Sequence, residues 1–272
     1  MIRKLESFIK RFYLILIFIF LYTPIVTLMV FSFNDSKSMG KWSGFTLRWY
    51  TQLFENARIM EALKYTIIIA VISSIVATII GTFAAIGIHR MKGFPKKALL
   101  NINNLPVLNP DIVTGISIMS LFIFIFPILN KIGINAQFGF TTMLLAHITF
   151  NIPYVILSVL PKLRQLPSNI TEAALDLGAT PGYAMRKIIL PQIKPGIFAG
   201  LLMAFTMSID DFVISFFTTG NGVSNLAIEV YSMTRRGLTP EINALSTLMF
   251  VSVLILLILS NISANKKATQ ER

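Results

Sequence analysis

Six long apolar segments constrain this 272-residue chain more than any other feature of its sequence. They cover residues 12–33, 65–88, 99–128, 140–160, 197–217 and 245–262. Each is close to the roughly 20 residues that an α-helix needs to cross a bilayer. The segments therefore predict an all-α membrane protein with six transmembrane helices.

The overall composition agrees with a membrane location, because only 13% of the residues are charged and 54% are hydrophobic. Soluble proteins average about 25% charged residues. The chain has no cysteine, which excludes a disulfide framework, a thiolate nucleophile and a cysteine-ligated metal. Its two histidines, His89 and His147, are far apart in sequence, so we expect structural or interfacial roles for them and no metal site.

The net charge of +12 would indicate a nucleic-acid partner in a soluble protein. Here the basic residues flank the apolar segments, so topology explains them and no nucleic-acid partner is expected. With a cytoplasmic N-terminus, 16 of the 24 basic residues lie on the inside and 8 on the outside. This bias predicts that both termini are cytoplasmic. The first apolar run exceeds the roughly 7–15 residues of a cleaved signal sequence, which favours a retained helix.

Proline and acidic residues indicate where the apolar helices begin or break. Pro106, Pro110 and Asp111 interrupt the start of the third segment, and we expect a structural role for Asp111 at that break. The fifth segment is expected to be one continuous helix. Glu241 is predicted to be a first-turn acid of the sixth helix.

The two longer outside segments predict short helices near the membrane surface. Residues 46–54 follow Trp42 and contain Trp49 and Tyr50, and such aromatic residues favour the membrane–water interface. Residues 225–236 predict a second outer helix that dips towards the pore.

The longest inside segment, residues 161–196, is too polar to cross the membrane and too short for a catalytic domain. Glu172 suits the first turn of a helix that starts near Thr171. Gly178 permits a left-handed turn, and Pro181 reinforces the break. A second short helix is predicted over residues 183–190, with Pro191 limiting its extension. The loop should therefore form a helix–turn–helix on the cytoplasmic face.

The same loop reads Glu172-Ala173-Ala174-Leu175-Asp176-Leu177-Gly178 and, nine residues later, Ile188-Ile189-Leu190-Pro191. This pattern resembles the EAA loop of ABC-importer permeases, E-A-A-x3-G-x9-I-x-L-P, at every fixed position. It also precedes the penultimate helix, as it does in that family. In the family this loop inserts into a cleft of a separate ATPase subunit. The resemblance implies an ATPase-coupling site made of Glu172, Ala173, Ala174, Gly178, Ile188, Leu190 and Pro191.

The resemblance extends over the whole chain and is greatest to the smaller of the two permease subunits in spermidine/putrescine importers. It is carried by Phe-Ser-Phe-Asn at residues 31–34, by residues 105–115, and by Ser-Ile-Asp-Asp-Phe-Val-Ile-Ser-Phe-Phe at residues 208–217. It implies one permease domain over residues 1–272, with a core at residues 60–265. Related permeases for sulfate, molybdate and ferric iron share the scaffold, so these cargoes stay as alternatives.

The partners implied by the resemblance are a second homologous permease, two copies of an ATP-binding subunit and an external substrate-binding protein. The machine would lie in the inner membrane, cross it several times and work by alternating access. The chain has no phosphate-binding Gly-x4-Gly-Lys-Ser/Thr motif, so it should not hydrolyse ATP. It is not expected to be an enzyme or to bind a cofactor itself, and ATP and Mg²⁺ would belong to the partner ATPase.

Two adjacent carboxylates, Asp210 and Asp211, interrupt the apolar fifth segment, where each costs about 2.5–3.5 kcal/mol near the bilayer centre. Adjacent helical positions point about 100° apart. One carboxylate is therefore expected to line the substrate pathway while the other caps or pairs. Ammonium groups of a polyamine would suit such a pathway, with Phe212, Phe216 and Phe217 as aromatic partners. The alternative is that both aspartates hold helix ends near the outer interface.

Other hypotheses concern Glu229 and the class of transporter. Glu229 could meet the substrate or a delivery protein, although solvation at the surface is the expected state. An ion-coupled secondary transporter would also contain isolated intramembrane carboxylates, but no inverted repeat is evident and the loop would be unexplained. An intramembrane enzyme lacks a metal cluster or a nucleophile–base arrangement in this sequence.

Overall fold

The computed structural model describes residues 2–36, 41–167, 169–220, 222–236, 240–252 and 254–255. Within those ranges the chain consists of helices and turns, with one isolated antiparallel bridge between Asn34 and Phe45. The predicted all-α class is therefore confirmed. Residues 240–252 are helical and include Glu241, whereas the end of the sixth predicted segment, from residue 256 onward, lies outside the described residues.

Before the helical residues 240–252, the described part of the chain contains eleven α-helices, α1 to α11, and one π-helical turn. The π turn, Met185–Ile189, joins α8 to α9, so the chain is continuously helical from Pro181 to Asp210. The helices are α1 Ile2–Phe31, α2 Arg48–Glu55, α3 Ala57–Arg90, α4 Gly93–Leu108, α5 Asp111–Lys131, α6 Phe140–Arg164, α7 Ile170–Asp176, α8 Pro181–Ala184, α9 Leu190–Asp210, α10 Val213–Thr218 and α11 Leu226–Arg236.

Five helical stretches are long and apolar enough to cross a membrane, judged by length and composition. They are Ile9–Phe31, Ala57–Arg90, Asp111–Lys131, Phe140–Arg164 and Pro181–Asp210. These stretches correspond to the first five predicted segments. The count of six spans stays a prediction, because the sixth segment continues beyond the described residues.

The third predicted segment, residues 99–128, is wrong in its extent. It is divided between α4 and α5 at Asn109, whose backbone is extended (φ −80°, ψ 147°). Pro110 accounts for the break, since a proline disfavours the helical conformation of the residue before it. Asp111 lies in the first turn of α5.

The predicted bounds of the fifth helix are wrong at both ends. Pro191 does not end a short helix, because the π turn continues directly into α9, with Pro191 in its first turn. The wider π turn relieves the clash that a proline ring makes with the preceding helical turn. At the other end the helix stops at Asp210, and Asp211 is extended (ψ 119°). The predicted continuous helix through residue 217 is therefore broken.

Internal contacts divide the chain into two compact units, Met1–Met60 with Val230–Arg272, and Glu61–Glu229. In the first unit, the segment after α1 folds back on α2. The indole Nε1 of Trp49 donates to the Asn34 carbonyl oxygen at 2.7 Å, and the Ser32 and Tyr50 hydroxyls are hydrogen-bonded at 2.7 Å. Trp49 is only 3% exposed, so its ring is buried and its polar N–H is satisfied within the protein. The predicted depth of this segment at the membrane–water interface stays a prediction.

The core of the second unit lies where α3, α6 and α9 pack together around Val155, Val159 and Ile193. A stripe of small residues on α9 faces this core at intervals of four residues: Gly196, Gly200, Ala204 and Ser208 are all buried. Small residues let helix backbones approach closely, which is how membrane helices associate when lipid is as apolar as their side chains. On α3, a Cβ at Gly81 would lie 2.8 Å from Val155 Cβ.

This packing predicts that Gly81→Ala destabilises the protein, while Gly87→Ala in the same helix does not. The new methyl group at position 81 would overlap Val155, and overpacking of a tight core costs about 1–3 kcal/mol. Gly87 has open space around it and serves as the matched control. The measurement is thermal unfolding of the purified protein in detergent, where a lower melting temperature for Gly87→Ala than for Gly81→Ala would contradict the prediction.

Candidate functional site

The break between α9 and α10 is built around the side chain of Asp211. Its carboxylate accepts hydrogen bonds from the backbone N–H groups of Ile214 at 3.1 Å and Ser215 at 2.8 Å. Those groups belong to the first turn of α10 and have no partner within that helix. Asp211 therefore caps α10, a role that the sequence left open between the two aspartates. Its side chain is 8% exposed.

Asp210, the last residue of α9, has the opposite surroundings. Its side chain is exposed, while its neighbour Asp211 is turned inward. Because the backbone changes from helical to extended between them, the two carboxylates occupy different environments. The aromatic rings of Phe212 and Phe216 lie beside the break with centroids 5.4 Å apart and planes tilted by 37°, and Phe216 is 48% exposed. The break thus presents one carboxylate and one aromatic face outward.

A buried chain of polar side chains includes Asp211 and connects five segments of the second unit; we call it the polar chain. It comprises Ser73 on α3, His147 and Asn151 on α6, Ser208 on α9, Asp211 and Ser215 at the break, and Asn225 before α11. The His147 ring lies at its centre and is 1% exposed. Buried polar groups are costly unless they form hydrogen bonds, and most of these side chains form them with one another; the exception is Asn151 Oδ1, which has no partner among the described residues.

The distances in the polar chain are those of real hydrogen bonds. Ser208 Oγ lies 3.0 Å from Ser73 Oγ, 2.7 Å from Asn151 Nδ2 and 3.2 Å from His147 Nδ1. On the other side of the ring, His147 Nε2 lies 2.9 Å from Ser215 Oγ. Ser208 and Ser215 therefore join the imidazole to α3 and to the helix break.

Asn225 closes the polar chain on the far side of the break. Its Nδ2 donates to the Asp211 carbonyl oxygen at 2.9 Å and to Ser215 Oγ at 2.7 Å. The next residue, Leu226, donates its backbone N–H to Thr66 Oγ1 on α3 at 2.8 Å. Asn225 thereby holds the extended backbone at Asp211, and Leu226 joins the segment after the break to α3.

Two other acidic residues singled out in the sequence, Glu229 and Asp111, are not members of the polar chain. Glu229, expected to be solvated, is 4% exposed in the first turn of α11, so that expectation is wrong. Asp111 is exposed at the start of α5 and caps nothing with its side chain in the described structure. Phe217 packs against α5, where a Cβ on Gly115 would lie 2.8 Å from its ring.

The predicted helix–turn–helix is present in residues 161–196, where α7 and α8 are joined by a tight turn. Gly178 has a left-handed backbone (φ +82°). Its N–H donates to the Leu175 carbonyl at 2.9 Å, and that of Ala179 donates to the Ala174 carbonyl at 3.0 Å. This pair of bonds is a Schellman motif, which ends α7. Thr180 then caps α8 through its side chain, which accepts from the Tyr183 N–H.

Side chains of the helix–turn–helix divide into an inner and an outer set. Ala174, Ala184 and Ile189 are buried, and they hold α7, α8 and the π turn together. The outer set includes two large apolar side chains, Leu177 at 89% and Tyr183 at 56% exposed. The other residues of the predicted coupling site are Glu172, Ala173, Gly178 and Pro191, which are exposed, and Ile188 and Leu190, which are half-buried.

Sequence reasoning missed the polar chain, apart from Asp211. Ser208 and Ser215 belong to the stretch 208–217 that carries the family resemblance, but neither had a predicted role. His147 was considered only as a metal ligand or a structural residue. Among the described residues, no group of three or more potential ligands could hold a metal ion. The available signal was polar residues inside apolar segments, which in a membrane protein face the interior and find partners there.

Residues 77–265 match the family described as binding-protein-dependent transport system inner membrane components. The chain is 36% identical over 259 residues to the spermidine/putrescine transport system permease protein PotC of Haemophilus influenzae, covering 95% of this chain and 97% of that protein. It is 40% identical over 241 residues to the putrescine transport system permease protein PotI of Escherichia coli K12, covering 88% and 85%.

The fold is also similar to that of a solved membrane protein. A chain from the crystal structure of a bacterial ABC transporter involved in the import of the acidic polysaccharide alginate superposes with a TM-score of 0.72. The two chains are 18% identical, and the match covers 96% of this chain and 99% of the other. With the helix–turn–helix and the apolar helices in place, the chain belongs to the family of binding-protein-dependent transport system inner membrane components.

Proposed function

We propose that this chain is a permease subunit of an ATP-driven importer that moves spermidine or putrescine across the inner membrane. The observation that carries the proposal is the helix–turn–helix formed by α7 and α8. It presents two exposed apolar side chains, Leu177 and Tyr183, on a turn that Gly178 and Thr180 fix in one geometry. Exposed apolar groups on a rigid support suit a protein–protein contact.

The partner at this surface is a separate ATPase subunit. The sequence of the loop matches the family pattern at every fixed position, and the chain itself lacks a phosphate-binding loop. Two copies of the ATPase, with their ATP and Mg²⁺, would act on this chain and on a second homologous permease. An external binding protein would deliver the cargo, in keeping with the description of the family.

Polyamines are the proposed cargo because the relatives described above are named for spermidine and putrescine transport. The break after α9 supports this cargo, since Asp210 on one side of it and Phe216 on the other are both exposed. Ammonium groups bind both carboxylates and aromatic faces. Asp210 is therefore the proposed pathway carboxylate and Asp211 the structural one. Sulfate and molybdate, being anions, would be repelled by Asp210.

The proposed topology has six membrane-spanning helices and cytoplasmic termini. It can be tested directly because the chain contains no cysteine. A single Leu177→Cys substitution should react with a membrane-impermeant maleimide only in inside-out vesicles. Phe45→Cys, which replaces another highly exposed apolar residue, should react only in right-side-out vesicles. Labelling of both positions from the same side would contradict the topology.

The docking role predicts that changes in the turn uncouple ATP hydrolysis from transport. Gly178→Ala forces a left-handed backbone on a residue with a Cβ, which costs about 1–2 kcal/mol and should distort the turn. Gly182→Ala is the control, because Gly182 is equally open but has an ordinary helical backbone. In proteoliposomes with the full complex, Gly178→Ala and the charge reversal Glu172→Lys should lower uptake per ATP hydrolysed. Normal coupling in both variants would count against the docking role.

The proposed division of labour between the two aspartates predicts different phenotypes. Asp210→Asn should raise the KM for spermidine roughly tenfold or more, since hydrogen bonds to charged groups contribute about 1.5–3 kcal/mol. Asp211→Asn should instead reduce the yield of folded complex, because it weakens the cap of α10. Glu55→Gln, at an exposed carboxylate on α2, is the control.

The measurement for these variants is uptake of labelled spermidine, with labelled sulfate and ferric iron as competing cargoes. Uptake of sulfate or iron in preference to spermidine by the unmodified complex would refute the polyamine assignment. An unchanged KM in Asp210→Asn would refute only the role of that carboxylate.

A further inference from the structure

The positions of the protons in the polar chain can be deduced from two groups whose roles are fixed, the Asn225 amide and the Asp211 carboxylate. Asn225 is oriented by backbone groups: its Oδ1 accepts from the Ile228 N–H at 2.9 Å, and its Nδ2 donates to the Asp211 carbonyl at 2.9 Å. A backbone N–H can only donate and a carbonyl can only accept. The amide therefore has one orientation, in which the second Nδ2 proton points to Ser215 Oγ at 2.7 Å.

The orientation of the Asn225 amide also decides whether Ser215 is the donor or the acceptor toward the imidazole. Its hydroxyl has a single proton, and it lies 2.9 Å from the Asp211 carboxylate, which as an anion can only accept. The proton of Ser215 is thus given to Asp211, and its oxygen is left as an acceptor. The 2.9 Å contact between Ser215 Oγ and His147 Nε2 then requires the hydrogen to be on Nε2.

The other ring nitrogen, Nδ1, is the acceptor in this arrangement. His147 Nε2 is 3.5 Å from the Asp211 carboxylate, longer than a direct hydrogen bond, and both side chains are at most 8% exposed. A second proton on the ring would create a buried ion pair without direct contact, which does not recover the cost of desolvation. Nδ1 therefore accepts from Ser208 Oγ at 3.2 Å. Ser208 in turn accepts from Asn151 at 2.7 Å.

We propose that His147 is a positioning residue of the transporter, held as the neutral tautomer with its proton on Nε2. Through Ser215 it fixes the Asp211 carboxylate on the first turn of α10, and through Ser208 it ties that break to α6 and α9. The role in transport rests on the proposed function, because the break it stabilises is what presents Asp210 outward. The protonation state of the ring does not depend on the identity of the cargo.

The tautomer can be measured without changing position 147, because the chain has only two histidines. The full complex, labelled with ¹⁵N only at the histidines of this chain, is placed in nanodiscs, and a His89→Asn variant assigns the remaining signals to His147. The expected spectrum has one protonated, pyrrole-type nitrogen at Nε2 and one pyridine-type nitrogen at Nδ1. Two protonated nitrogens, or a proton on Nδ1 alone, would overturn the proposal. A complex that carries a different cargo would leave this spectrum unchanged.

The positioning role is tested by pairing His147→Gln with His147→Leu. Glutamine can still donate to Ser215, whereas leucine removes both the donor to Ser215 and the acceptor for the Ser208 proton, so uptake of spermidine by His147→Leu should fall about tenfold and be largely restored in His147→Gln. Thr149→Ala is the control, because Thr149 is exposed on the same helix and its hydroxyl donates to the Leu145 carbonyl oxygen one turn earlier. Equal uptake by the leucine variant and the unmodified complex, or an equal loss in both variants, would overturn the role.

Discussion

The broken fifth helix depends on one requirement: every backbone polar group that is buried away from water has to find its partner within the protein. A helix that stops at Asp210 and restarts at Val213 leaves free N–H groups in an apolar region. The Asp211 carboxylate satisfies two of them, and it also accepts from the Ser215 hydroxyl and faces the His147 ring. One backbone break thus accounts for most of the buried polar side chains in its neighbourhood.

Close helix packing makes that solution geometrically accessible. The Ser208 hydroxyl on α9 lies 2.7 Å from Asn151 Nδ2 on α6, although the two residues come from different helices. Short side chains can reach each other only where their backbones approach closely, and the small-residue stripe of α9 against α6 provides this approach. Gly196 and Gly200 therefore let α9 approach α6 closely, and this approach brings Ser208 within hydrogen-bonding distance of its partners.

The sequence predicted the features that are local. Apolar runs predicted the first five spans, Pro110 predicted the break before α5, and Gly178 predicted the left-handed turn. It did not predict the break at Asp211, because that break is stabilised by residues distant in the chain: Ser208 and Ser73 are 135 positions apart, and His147 is 68 positions from Ser215. The burial of Trp49 and Glu229 was missed for the same reason, since tertiary contacts overrode the preference of each residue type.

The π turn before α9 has a geometric consequence for the whole rod from Pro181 to Asp210. Buried positions along this rod are mostly three or four residues apart, as at Ile189, Ile193 and Gly196, but Ala184 and Ile189 are separated by five. The extra residue keeps one face of the rod inward across the turn. Deleting this residue would rotate the surface that carries Tyr183 by about 100° around the helix axis relative to α9. The rotation of the Pro181 end of the rod relative to its Asp210 end is therefore set by the one extra residue in the π turn.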